Sequence, residues 1–328
     1  MVKDIYTYIV INMGYIVKLQ TTQTHAIRTL TDTLNSLLTD VNLNFFPYHI
    51  NDESESSSSE DSSDDDSGEE NNIEVNDTLP EVQSLSITEK GKNTKKIGGL
   101  RIKEVNKTSS ILVHCKLDAD KFDHYEYNYH KKKLTIGINL ANLLKALKCM
   151  TNFDTMTWAI DEDDINKLIV ILENMERKEK KIFKLNLMDL EDEKYEVDPV
   201  KFPFYAIMPS SEFHKYCKDM STVSEKMDIK CTTDHLFFNG LGSIGDFQFS
   251  LGESVGGLTI GVNTEDKNEI VQGLFELKYL IIFTKCTSLC GQVTLFLKND
   301  YPLIVKYTVA NLGEIKLVLS PSKPKSSY

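Results

Sequence analysis

The sequence predicts an α+β fold of two similar halves, in which antiparallel strands outnumber short helices. Three observations carry this expectation. Helix-period segments occur as two pairs, a hairpin signal follows each member of the second pair, and one long polar stretch interrupts the first half alone.

The first strand signal is Tyr15-Ile16-Val17-Lys18-Leu19, and the residues before Met13 read as an extension or as the product of an upstream start. The apolar run Ile5–Val17 is too short for a membrane span and is broken by Asn12 and Gly14; it also lacks the basic start and cleavage site of a signal peptide. Thr22–Leu38 is the first helix, with Ile27, Leu30, Leu34 and Leu37 or Leu38 on one face and Arg28 outside. Its counterpart is Pro209–Met220, where Phe213, Tyr216, Cys217 and Met220 form the apolar stripe and Lys215 and Lys218 lie opposite. The second pair is Asn139–Met150 and Phe275–Thr287, which share a Lys-Cys step at Lys148-Cys149 and Lys285-Cys286. Leu140, Leu143, Leu144 and Leu147 make the stripe of the former and leave Lys145 and Lys148 exposed; in the latter, Lys278 and Lys285 share a face. Two hairpins follow. One is Thr155–Ile160 with Leu168–Leu172 around the acidic turn Asp161–Asp164, the other Gln292–Leu297 with Leu303–Tyr307 around Asn299-Asp300.

Residues 51–77 contain 12 acidic residues, no Lys or Arg and almost no apolar side chain, so they cannot bury enough surface to offset chain entropy. The polar stretch to about Lys96 extends this insertion. Its serines beside acids suit acidophilic kinases; the plain alternative is a solvated insertion with no specific role. The insertion also accounts for the net charge of -12: elsewhere 37 basic residues balance the acids, and a neutral body can present a basic face.

No catalytic class is indicated. GxSxG, P-loop and HExxH motifs are absent, and the six cysteines form no CxxC pair or zinc-spaced set, which reads as reduced thiols in an intracellular protein with no metal or cofactor. His114 and Cys115 are strand neighbours that face opposite ways, while His214 and Cys217, three apart on a helix, lack an orienting acid. Four helices of one duplicated fold with cations on their outer faces suit contact with phosphates rather than base readout, and no aromatic residue is interleaved for stacking.

The order and spacing of several segments resemble the proliferating cell nuclear antigen (PCNA) family, the DNA sliding clamps of eukaryotes, archaea and many large DNA viruses. The segments are Ile138–Cys149, Leu185-Asn186-Leu187-Met188-Asp189-Leu190, Met208–Phe213, Lys278–Lys285, Pro302–Tyr307 and Leu319-Ser320-Pro321-Ser322-Lys323. The resemblance implies clamp domains at 13–187 and 204–328 joined by a connector at 188–203, and a head-to-tail homotrimeric ring with sheets outside and helices inside. Double-stranded DNA would pass through without sequence preference, meeting Arg28, Lys145, Lys148, Lys215, Lys218, Lys278 and Lys285. Implied partners are DNA polymerase, a clamp loader and other replication and repair proteins. They would dock apolar-aromatic peptides on Val105, Leu112, Tyr195, Val197, Pro302, Val318 and Pro321. The acidic connector favours basic residues beside such peptides. Ring contacts would involve Phe183, Phe247 and Phe249 on edge strands at 180–187 and 247–251. Work in the nucleus, or at a cytoplasmic replication site of a virus, follows. Departures from the family pattern are Asn35, Ser109, Val318, Glu196 and Thr233, the last at the family's modified lysine. Two other readings stay open: a monomeric polymerase accessory subunit of the same fold, and an interaction scaffold that has lost DNA binding.

Overall fold

Period-two and helical patterns give the same succession of elements twice. The computed structural model describes residues 14–50, 96–150, 155–191, 200–266 and 268–322. The first half runs β1 (Tyr15–Thr21), α1 (Thr24–Leu37), β2 (Asp40–Ile50), β3 (Lys96–Val105), β4 (Ile111–Asp118), β5 (His124–Tyr127), β6 (Leu134–Asn139), α2 (Leu140–Lys148), β7 (Thr155–Asp161), β8 (Lys167–Asn174) and β9 (Glu179–Asn186). The second runs β10 (Phe204–Pro209), α3 (Ser210–Ser221), β11 (Lys226–Cys231), β12 (His235–Gly242), β13 (Gly245–Gly252), β14 (Thr259–Val262), β15 (Val271–Glu276), α4 (Leu277–Phe283), β16 (Gln292–Leu297), β17 (Leu303–Val309) and β18 (Gly313–Leu319). The expected extension before Met13 and the insertion lie outside the described residues.

Three antiparallel sheets result. Their strand orders are β5-β1-β7-β8-β9, β14-β10-β16-β17-β18-β4-β3-β2-β6 and β13-β12-β11-β15. The middle sheet is composite: five strands of the second half meet four of the first where β18 pairs with β4, Leu317 opposite Val113. The first half's own five-strand unit ends at β9 and the second half's four-strand unit at β13, so both are edge strands.

The helices form one layer. α1 packs on α2 and α3 on α4, and a 3-10 turn, Thr284–Ser288, meets both α1 and α3. Ile27, Leu30 and Leu34 of α1, Leu143 and Leu147 of α2, Phe213 and Cys217 of α3 and Leu280 of α4 all enter a single core shared with the sheets. α2 begins where the Asn139 side chain accepts the Asn142 N–H at 3.0 Å, satisfying a first-turn donor. The last helix is shorter than its periodicity suggests. Phe275 and Glu276 remain in β15, paired with Met227 and Lys226, and the chain beyond Phe283 tightens to 3-10 geometry. Cys115, Cys217, Cys231 and Cys286 are buried thiols, whereas Cys149 is exposed and Cys290 half-buried.

β2 and β3 pair antiparallel up to Ile50 opposite Lys96, with a bulge between Phe46 and His49. Gly99 takes φ +116 beside it, where a Cβ would lie 2.3 Å from the Leu117 carbonyl oxygen. The strand ends flanking the insertion are therefore already neighbours. Replacing residues 51–95 by Asn-Gly should leave the melting temperature within about 3 °C, since a two-residue turn closes such a pair. Differential scanning calorimetry of both chains checks this; a fall above about 8 °C would give the insertion a structural role.

Candidate functional site

Two surfaces gather the residues singled out by sequence. The first is the outer face of the helix layer. Alternation of the apolar stripe with polar positions leaves Lys145 and Lys148 on α2, Lys215 and Lys218 on α3, Lys278 on α4 and Lys285 on the 3-10 turn exposed. Arg28 is half-buried and donates from Nη1 to the Met150 carbonyl at 3.4 Å. The cations are not equivalent. Lys285 Nζ lies 3.0 Å from Asp32 Oδ2 and donates to Ser36 Oγ at 2.8 Å, tying the second half to α1. Lys278 pairs with Glu276 at 3.4 Å and sits over the Tyr279 ring. Among the described residues Lys145, Lys148, Lys215 and Lys218 make no ion pair. Lys181, which sequence reasoning placed only on an edge strand, donates to the Cys149 carbonyl at 3.2 Å at the end of α2 and also pairs with Glu179 at 3.2 Å.

The second surface is a cleft of about 210 Å³ on the other face of the composite sheet, where the halves join. Alternation along β4 sends Ile111, Val113, Cys115 and Leu117 into the core and leaves Leu112 and His114 half-buried on the opposite side. Val105, Leu112, Ile304 and Val318 line the cleft with Phe202, Tyr301 and Pro302. Phe202 stands 5.8 Å from Phe296 and 5.7 Å from Tyr301, centroid to centroid, which makes one end aromatic. Pro321 is outside the lining, although its neighbour Ser320 is in it. Tyr195 and Val197 lie outside the described residues. The β3–β4 loop is held by Asn106, whose Oδ1 accepts from the Ser110 and Ile111 N–H groups, both at 2.9 Å. From the other half, the Ser320 N–H donates to the Ser110 carbonyl at 3.0 Å. Both halves thus build the cleft, and Ser109, at φ +52, forms part of its rim.

Sequence reasoning missed Lys103, His114 and Lys316 in this lining. Their spacing from Val105, Leu112 and Val318 was the available signal, because residues two apart on a strand share a face. Glu314 anchors this group: its carboxylate lies 2.8 Å from Lys306 Nζ and 2.9 Å from Lys316 Nζ. Burial works to raise the Glu314 pKa, but the two ammonium groups outweigh it and hold it near about 2. Burial and the adjacent Lys316 and Lys103 press His114 down to about 4, so it is neutral at neutral pH.

The histidine–cysteine pairs are not nucleophiles. Cys115 points into the core away from His114, Cys217 is buried, and burial pushes both thiols well up. The His214 ring instead bonds Thr284 Oγ1 at 2.9 Å. The expected edges at 180–187 and 247–251 coincide with β9 and β13. Phe183, Phe247 and Phe249 each pack partly buried against the core.

Comparison with known proteins adds two findings. The family model "Proliferating cell nuclear antigen, N-terminal domain" matches residues 87–195, and "Proliferating cell nuclear antigen, C-terminal domain" matches 197–322. A probable DNA polymerase sliding clamp of Acanthamoeba polyphaga mimivirus is 26% identical over 315 residues, which cover 94% of this chain and 63% of that protein. Probable DNA polymerase sliding clamp 1 of Paramecium bursaria Chlorella virus 1 is 29% identical over 226 residues, 68% of this chain and 84% of its own length. The chain thus spans less than two thirds of the mimivirus relative.

Glu314 yields a pH prediction. Its folded pKa is depressed below the ordinary 4.5, so its contribution is fully present above that value and is lost as pH falls towards about 2. Glu314→Gln should cost roughly 1–3 kcal/mol at pH 7, allowing for its partial exposure. Urea melts of both proteins at pH 7 and pH 3 check it: the difference should narrow at pH 3, and an equal difference at both would contradict it.

Proposed function

The chain belongs to the proliferating cell nuclear antigen family, and on that premise we propose that it is a DNA sliding clamp. Three copies close head to tail around duplex DNA and tether a DNA polymerase, giving processivity without catalysis. Residues 13–187 and 204–328 act as the clamp domains and 188–203 as the connector. A clamp loader and other replication and repair proteins are its further partners, and a site of DNA replication is where it works.

The observation that carries this reading is the internal duplication of the sheets. The β18–β4 joint links a five-strand unit to a four-strand unit, and the remaining two units end in β9 and β13. Pairing β9 of one copy with β13 of the next would form a second nine-stranded sheet and satisfy both edges; a heterologous contact of this kind closes into a ring when the rotation fits. The register follows from the duplication. Trp158 opposite Val170 and Leu295 opposite Val305 occupy equivalent places in their hairpins, which sets Phe183 of β9 against Leu317 of β18. Phe45, Leu100 and Leu117 correspond in the same way to Cys231, Leu236 and Leu251, which sets Val113 against Phe247. Since Leu317 faces Val113, Phe183 would face Phe247, and Lys184 would face Asp246 with complementary charge.

Lys145, Lys148, Lys215 and Lys218 then carry most of the DNA contact, Lys278 and Lys285 being already paired, and Arg28 lies beside them. Point charges of this kind hold phosphates without reading bases.

Light scattering should give three times the chain mass of 37.3 kDa, and Phe247→Asp should give a folded monomer by putting a charge into the joint. Monomer for the wild type at tens of micromolar would favour the single-copy accessory subunit instead. A separate readout concerns the cations. In Lys148→Ala/Lys218→Ala, the slope of log affinity against log salt for duplex DNA should shrink by about 0.9 for each phosphate no longer neutralised, with unchanged melting. An unaltered slope would remove these lysines from the DNA-facing surface.

A further inference from the structure

The partner groove has a charged margin that its apolar floor does not explain. Across β17, β18, β4 and β3 the register sets Ile304 opposite Val318, Val318 opposite Leu112, and Leu112 opposite Val105. That row is the floor. The next row on the same face, about 6.6–6.8 Å along the strands, is Lys306, Lys316, His114 and Lys103. Lys103, His114 and Lys316 reach the cleft, and no carboxylate lines it among the described residues. Glu314 approaches Lys306 and Lys316 from one row further on and fixes their ammonium groups in place. His114 supplies no charge at neutral pH. The positive charge at this margin therefore comes from Lys103, Lys306 and Lys316, the latter two sharing Glu314 and together exceeding it by one charge.

We propose that the Lys103–Lys316 row is a specificity element, selecting partner peptides that carry Asp or Glu about one strand repeat, roughly 7 Å, from the apolar anchor. The inference rests on the reading of the cleft as the partner groove. In an extended peptide that distance is two residues, so anchor and acid point to the same side, one onto Leu112 and Val318, the other towards Lys103. The acids of the connector favour bases elsewhere along the peptide; the floor favours an acid on its inward side. Partners would thus be sorted by the sign of one side chain beside an otherwise apolar contact. A like charge placed there would face lysines in a partly desolvated cleft, which penalises the wrong partner more than a surface pair rewards the right one.

Three fluorescent peptides with one aromatic anchor and Glu, Gln or Lys two residues away provide the test, titrated against the full chain by anisotropy. The Glu peptide should bind about five-fold tighter than the Gln peptide and the Lys peptide weaker than both, with the spread compressed at 0.5 M salt. Lys103→Gln should bring the Glu and Gln peptides within about two-fold of each other, and a five-fold preference that survives this substitution would overturn the inference. Equal affinities of all three for the wild type would overturn this inference and leave the groove reading standing. No binding by any peptide would overturn both.

Discussion

A β-strand at the edge of a sheet carries a row of unsatisfied backbone N–H and C=O groups, and the architecture of this chain turns on how those rows are closed. Each half contributes a five-strand and a four-strand unit. One pair is joined inside the chain through β18 and β4, with seven residue pairs from Gly313 opposite Leu117 to Leu319 opposite Ile111. The other pair ends in β9 and β13, whose exposure alternates identically along both strands. The inner faces of these edges carry Phe183, Leu185, Phe247, Phe249 and Leu251, half-covered by their own cores. In the ring proposed above, a second copy would supply both the hydrogen bonds and the cover.

The same joint organises the rest. It brings the β3–β4 loop against Ser320, which makes the cleft a property of two halves rather than one. On the opposite face it places the 3-10 turn beside α1, where Lys285, Asp32 and Ser36 connect the halves through polar contacts and Thr33 Oγ1 lies 3.7 Å from Cys286 Sγ. Helix cations are thereby divided between those held in ion pairs, Lys278 and Lys285, and those that make none among the described residues, Lys145, Lys148, Lys215 and Lys218. Outside the insertion the chain is neutral, so its basic faces are local features.

Much of this was legible in the chain before any coordinates. Apolar stripes at helical spacing locate the first three helices, because burial of one face fixes their orientation regardless of distant residues. The repeated Lys-Cys step and the two hairpins reveal the duplication. Legibility fails where geometry depends on residues far apart. The sequence reading starts the last helix at Phe275, yet pairing with Met227 keeps that residue in β15. Lys285 looks like a free cation until α1 brings Asp32 to it from the other half. The lysine row beside the floor is assembled from four strands, and no single segment shows it. Pro321, assigned by resemblance, falls just outside the cleft that Ser320 lines.

The proposed ring requires β9 of one copy to pair with β13 of the next in the register of β18 with β4. Ile182 and Gln248 occupy the places of Lys316 and His114, are exposed, and should stand opposite each other across the joint. Mild oxidation of Ile182→Cys/Gln248→Cys, read on a denaturing non-reducing gel against each single variant, measures this directly, since only Cβ atoms about 4 Å apart form an unstrained disulfide. A covalent trimer is the expected end product, absent from both single variants. A double variant that stays monomeric on the gel while sedimenting as a trimer would contradict the register, and one that is monomeric by both measures would contradict the ring.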